Sequence, residues 1–206
     1  MFRSYIALIH HPVVDRTGRE VTSSVTSLDM HDLARAARTY GIRGTFVVHP
    51  SAVQRRFVAH VTGHFVSGAG RRAHPERGET LDMQLNVVPD LDGAIEAIEA
   101  REGEKPLLVG TSAREGDGAT GYGEMGALLR GGARPGLILF GTSWGLTPGV
   151  MDHLDFRLPP LRGREVSGYN HLSVRAAAAV ILDRLFGDRE TPEAAAAESF
   201  EEGARP

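Results

Sequence analysis

The chain has 206 residues, 41% of them apolar, with no cysteine and a net charge of −3. That supports one substantial core, and the missing cysteines exclude a disulfide framework, a thiol nucleophile and a thiolate zinc site. Residues 188–206 hold six acids against two arginines, so the body is close to neutral and neither demands nor forbids a nucleic-acid partner.

Short β-like runs alternate with helical patterns along residues 1–187. Residues 5–10 form a strand, followed by a polar turn around Asp15 and Gly18. The stretch LDMHDLARAARTYG is helical, with Leu33, Ala36, Ala37 and Tyr40 on one face and Gly41 as its stop. GTFVVH is a strand, and PSAVQRRFVAHVTGHF a helix opened by Pro50 and Ser51. MQLNVV is a strand before the helix DLDGAIEAIEARE, whose first turn is acidic. KPLLVGT and GLILFG are strands flanking a helix over residues 123–130. LTPGVMDHL opens a short helix at Pro148, DFRLPP is a last strand, and NHLSVRAAAAVILDRLFG a long helix with Asn170 as a suitable N-cap. Six strands alternating with helices predict an α/β domain with a mainly parallel sheet. The Ala/Glu-rich tail, residues 188–206, has no apolar face and is expected to lack fixed structure.

In parallel sheets, ligands sit at the carboxyl ends of strands, which singles out the loops at residues 111–123, 141–146 and 159–173. Gly141-Thr-Ser143-Trp-Gly145 spells the nucleophile elbow of serine hydrolases, and Asp152 or Asp155 with His171 supplies a triad in the right order. No HGGG-type oxyanion segment precedes it. Glycines 116, 118, 121, 123 and 126 match G-x-G-x-x-G twice, but neither match directly joins a strand to a helix as dinucleotide binding requires. His60 and His64 lack the glutamate of a zinc helix and a third ligand, so no metal is assigned. No run approaches the roughly 20 apolar residues of a membrane span. The opening MFRSYIALIHHPVV is interrupted too early for a secretory leader, and a soluble, cytoplasmic protein is expected.

Together, ALIHHPVVDRTGREVTSSVTSLDMHDLARAARTYGI, EGEKPLLVGTSAR and LFGTSWGL…PPLRG…YNHLSVRAAAAVILDRL resemble the SPOUT, or trefoil-knot, RNA methyltransferases, in particular their small stand-alone branch. The resemblance covers nearly all of residues 5–187. It implies a six-stranded α/β sheet with a C-terminal trefoil knot, S-adenosylmethionine as cofactor, RNA as substrate and a homodimer as the working unit. The cofactor would lie among Thr111 and Ser112; Phe140, Gly141, Thr142, Trp144, Gly145 and Leu146; and Leu158, Pro160, Leu161, Gly163, Tyr169, Asn170, His171 and Leu172. Ser143 stands where relatives carry a small residue, which makes the elbow a coincidence. In the first family motif a polar residue precedes an arginine by six positions. Asp29 and Arg35 match it, although the ribose-methylating branch carries asparagine where Asp29 stands. Ser173 aligns with a serine near the acceptor, and His171 falls where asparagine is usual. Histidine titrates near neutrality, so His171 is also a candidate base. The remaining alternatives are a hydrolase using Ser143 and a cofactor- and RNA-binding module without transfer activity.

The last helix gives its own reason to dimerise. Val174, Ala177, Ala178, Val180, Ile181, Leu182 and Leu185 occupy too much of its circumference to face one core.

Overall fold

A computed structural model describes residues 1–116, 118–163 and 170–188. The chain opens with β1 (Phe2–Ile9), followed by a hairpin of β2 (Val13–Val14) and β3 (Glu20–Val21). Helix α1 (Ser27–Thr39) leads to β4 (Ile42–Val48), and α2 (Ala52–Val66), α3 (Ala69–Ala73) and α4 (Pro75–Gln84) lead to β5 (Leu85–Val88). Then come α5 (Leu91–Glu102), β6 (Leu107–Gly110), α6 (Tyr122–Gly131), β7 (Gly136–Gly141), α7 (Pro148–Met151), β8 (Phe156–Arg157) and α8 (Val174–Phe186).

The main sheet has the order β5-β4-β1-β7-β6-β8, and every pairing in it is parallel. β1 and β7 lie at its centre and are almost wholly buried, which is why YIALI and GLILF read as unbroken apolar runs. Alternate side chains of β1 enter opposite cores. Ile6 and Leu8 meet α1, α6 and α8 through Leu33, Leu129 and Leu182, whereas Tyr5, Ala7 and Ile9 share a core with Ala94 and Ile98 of α5. A third cluster, Met30, Val47 and Val58, seats α2 beside α1. At the amino edge, Glu102 holds Tyr5, Arg3 and Arg43 together. Burial would raise its pKa, but those three donors outweigh burial and bring it to about 2.

Three expectations need correction. MQLNVV is not all strand, because α4 runs through Gln84, whose amide caps the Ile42 carbonyl at 3.1 Å. Residues 69–82, given no element by the periodicity, contain α3 and most of α4. Asn170 does not cap the last helix; Ser173 does, accepting from the Ala176 amide at 3.2 Å. Tyr169 and residues 189–206 of the acidic tail lie outside the described residues. No described helix is long and apolar enough to cross a membrane.

Candidate active site

The order of the sheet brings the three singled-out loops together. The chain runs out to β6, returns inside it to β7, then passes beyond β6 to β8, so all three strands end side by side. The first loop is tied to its neighbour by the Thr111 hydroxyl, which donates to the Leu139 carbonyl at 2.8 Å. Glu115 pairs with Arg162 and so joins the first loop to the third. Tyr122 donates to the Pro159 carbonyl at 2.8 Å, and Thr120 N–H to that of Arg157 at 2.8 Å. Asn170 closes the third loop from both sides, donating to Leu161 O at 2.8 Å and accepting from Gly163 N at 3.1 Å.

The second loop is held by the β2–β3 hairpin. Val14 donates to Gly145 O and accepts from Trp144 N, both at 2.9 Å, and Val13 bridges to Leu146. Ser143 adopts φ 55° and Gly145 φ 108° in the turn between these bonds. Gly141 is fixed by the same fold-back: a Cβ there would lie 2.6 Å from Leu146 N and 2.9 Å from Gly145 C. The loop's own backbone therefore requires this glycine, before any ligand approaches.

Of the expected cofactor residues, Phe140, Leu146 and Leu158 are buried in the cores, so only their backbones are available to a ligand. Trp144 and Leu172 are more than half exposed, at 53% and 57%, apolar surface that an uncharged purine suits better than a phosphate does. Thr111, Ser112, Thr142, Pro160 and Leu161 are partly covered, and Gly163 lies open.

Asp29 and Ser173 sit at the starts of α1 and α8, which are pinned together. Asp29 forms a capping box with Thr26 and accepts Arg175 Nη1 at 2.7 Å, while Arg175 Nε reaches Asp32 at 3.3 Å. The Asp29 carboxylate is thus held by structural partners. His171 and Leu172 precede this junction on the exposed side. Arg35 is not gathered there. Six residues on, it lies about 120° around the helix from Asp29, on the flank of His31 and Arg77, and among the described residues it makes no ion pair.

The hydrolase arrangement does not assemble. After Ser143 the chain makes a bridge to the hairpin instead of a helix. Asp155 is engaged by the Leu108 amide at 2.7 Å and Asp152 faces Arg157. Among the described residues the Ser143 hydroxyl has no hydrogen-bond partner.

Sequence reasoning missed a buried relay beneath the second loop. His10, at the end of β1, and His49, just past β4, are 1% and 3% exposed, with ring centroids 5.7 Å apart. His49 Nδ1 accepts from Ser51 N at 3.0 Å, so its Nε2 carries the proton and donates to Ser23 O at 3.0 Å. His10 Nδ1 meets Ser23 Oγ at 2.9 Å, Ser23 Oγ meets Thr142 Oγ1 at 2.5 Å, and the Thr142 hydroxyl donates to Ile9 O at 3.0 Å. The partners assign one direction: Nδ1–H to Ser23, Ser23 to Thr142, Thr142 to Ile9. The relay couples the second loop to β1. Burial first, then His49, pushes the pKa of His10 down to about 4. Between this value and the ordinary one near 6.5, the unfolded chain binds the extra proton. His10 therefore contributes no pH dependence above about pH 6.5, and stability falls as pH drops toward 4, by about 3 kcal/mol in all. Urea titrations of wild type and His10→Asn across pH 4–8 check this: the variant's stability should fall less steeply below pH 6.5, and parallel curves would contradict it.

Residues 3–187 match the family described as SAM-dependent RNA methyltransferases. A tRNA (guanine-N(1)-)-methyltransferase of Nitratidesulfovibrio vulgaris is 45% identical over 184 residues, which are 89% of this chain and 42% of that protein. One from Oleidesulfovibrio alaskensis is 42% identical, with the same shares covered. The chain thus spans less than half the length of these relatives. An uncharacterized protein of Aquifex aeolicus is 40% identical over 88% of this chain and 87% of its own. The fold is that of a probable methylase family protein from Haemophilus influenzae, with TM-score 0.59, 18% identity, and 100% and 71% of the two chains covered. It is also that of the SpoU methyltransferase AviRb from Streptomyces viridochromogenes, solved with AdoMet, with TM-score 0.53, 18% identity, and 90% and 59% covered. On this match over nearly its whole length, the chain belongs to the family of SAM-dependent RNA methyltransferases, with the α/β fold of the SPOUT enzymes.

Proposed function

We propose that this chain, working as a cytoplasmic homodimer, transfers a methyl group from S-adenosylmethionine to a structured RNA, with tRNA the first substrate to test. The observation that carries the reading is the convergence of three cross-tied loops at the carboxyl ends of β6, β7 and β8 in a chain of this family. The names of two relatives support tRNA. The passage of the chain from β7 past β6 to β8 and back onto α1 and α6 supports a trefoil knot over the C-terminal segment.

The loops suit an uncharged purine and a short chain bearing a sulfonium: exposed indole and leucine surface, open glycine, and the polar groups of Thr111, Ser112, Asn170 and His171. Phe140, Gly141, Thr142, Gly145, Leu146, Leu158, Pro160, Leu161 and Gly163 would line the remainder, mostly through backbone. When bound, the cofactor supplies an electrophilic methyl carbon on a sulfonium sulfur. The protein's part is to exclude water and hold the acceptor in line with that carbon. Ser173 and His171, at the exposed start of α8, stand where an acceptor could be oriented.

The homodimer draws support from α8. Ala178, Ile181, Leu182 and Leu185 are buried by its own chain, but Val180 stays 37% exposed beside partly covered Val174 and Ala177, and Leu28 on α1 is 59% exposed. A two-fold partner would cover them. The functional test is transfer of a tritiated methyl group from the cofactor to unfractionated tRNA. Label should be lost to ribonuclease and survive protease; label confined to protein would defeat the reading.

A further inference from the structure

We propose that the face formed by α2, α3 and the start of α4 is the surface that grips the phosphate backbone of the RNA. This rests on the reading of the chain as an RNA methyltransferase and adds where the RNA lies.

Residues 50–75 contain four arginines, three histidines and no acidic residue, in a chain whose overall charge is negative. Arg56, His60 and His64 recur at four-residue spacing and form one exposed stripe along α2. The stripe ends at a cluster around the Phe65 ring. His31 and His64 each meet that ring edge-on at 4.9 Å, His74 lies at 6.5 Å, and the Arg77 guanidinium stands over it at 5.2 Å. Arg71 and Arg72 on α3 are exposed beside it, and Arg35 adds a further charge from α1.

Two features distinguish this face from ordinary solvated charge. The first is that its charges are not neutralised. Arg3, Arg19, Arg38, Arg43, Arg157, Arg162 and Arg175 are all held by carboxylates. Among the described residues, Arg35, Arg56, Arg71, Arg72 and Arg77 have no such partner; Arg16, Arg55, Arg101, Arg114, Arg130, Arg134 and Arg184 lack one too, so what marks this face is how many unpaired arginines it gathers. Glu79 on α4 is engaged by Arg38, which leaves Glu76 as the nearest carboxylate along the chain. Burial and then the charge of Arg77, with Arg35 adding to it, hold the His31 pKa below its usual range, outweighing Asp32; the local potential is positive. The second feature is rigidity. A Cβ on Gly68 would lie 2.8 Å from His64 O and one on Gly70 2.7 Å from the His64 ring, so α3 is clamped onto the end of α2. The guanidiniums are therefore carried on a fixed frame. Arginine forks pair with phosphate oxygens, and such contacts fix position without reading sequence.

The experiment uses the full chain with S-adenosylmethionine, and filter binding of unfractionated tRNA as the probe. The triple variant Arg56→Gln, Arg71→Gln, Arg72→Gln should bind tRNA at least about 10-fold more weakly at 0.15 M salt, and the slope of log K against log salt should shrink by about 2–3, near 0.9 per lost phosphate contact. Cofactor affinity should not change. Lysine at the same three positions should restore most binding, and glutamine at Arg101, Lys105 and Arg134, on the amino edge of the sheet, should leave it within about twofold although the net charge changes equally. Wild-type affinity in the glutamine triple would overturn the surface alone. Failure of the lysine triple to recover binding would also overturn it, since the loss would then be structural. A wild-type chain that binds cofactor but no tRNA, or prefers phosphatidylserine vesicles, would overturn the functional reading and the surface together.

Discussion

Gly141→Val should cost the protein both cofactor binding and methyl transfer. The Cβ of any replacement lies 2.6 Å from Leu146 N and 2.9 Å from Gly145 C, and these are backbone atoms that cannot swing aside. The second loop has to open, which breaks the bonds between Val14 and residues 144 and 145 and displaces Thr142 from Ser23. With the cofactor held on this loop's backbone, as proposed, calorimetry should show at least a 100-fold loss of cofactor affinity, or about 2.7 kcal/mol. The loop's three lost hydrogen bonds add a destabilisation of about 3 kcal/mol at roughly 1 kcal/mol each. Ser143→Ala is the matched control, since its hydroxyl bonds to nothing described, and it should bind and react as wild type does. Unchanged affinity in the valine variant would remove the second loop from the site.

Mixing two inactive proteins should restore activity. Arg35 lies about 120° around α1 from the Asp29–Arg175 junction of its own chain, so the dimer reading has it serve its partner's loops. Arg35→Ala should lose transfer while keeping cofactor affinity, and Gly141→Val should lose both. In a mixed dimer, one site pairs intact loops with an intact Arg35 and the other pairs both defects. Random assortment in equal amounts then gives about a quarter of wild-type activity, because half the dimers are mixed and each has one working site. Light scattering that finds a monomer at micromolar concentration, or a mixture as inactive as its parts, would contradict the shared site.

The six strands were legible because sheets covered on both faces leave long apolar runs, and the helices between them carry a 3.6-residue period. What escaped has partners distant in sequence. The β2–β3 hairpin has only two residues in each strand, too few for periodicity, and the second loop bonds to it from far along the chain. Helix α4 buries Gly78, Thr80 and Gln84 along with Leu81, so its inward face is small and polar and gives no apolar stripe. His10 and His49 read as the last residues of two strands, and only the folded chain sets them beside Ser23 and Thr142. Asn170 and Ser173 are both good caps by composition; the helix start chose Ser173 and left Asn170 to close the third loop. Gly141 was identified as a site residue, and the fold adds a reason the sequence did not hold, the loop's own return onto Gly145 and Leu146. Asp29 and Arg35 were read as one motif, and helix geometry separates them onto two flanks.

The most direct test is mass spectrometry of nucleosides from tRNA incubated with the wild-type protein and cofactor carrying a trideuterated methyl group. A single nucleoside heavier by one labelled methyl, absent with Gly141→Val and retained with Ser143→Ala, is the predicted result. Cofactor bound by the wild-type chain with no labelled nucleoside in tRNA, or in total RNA, would contradict the account.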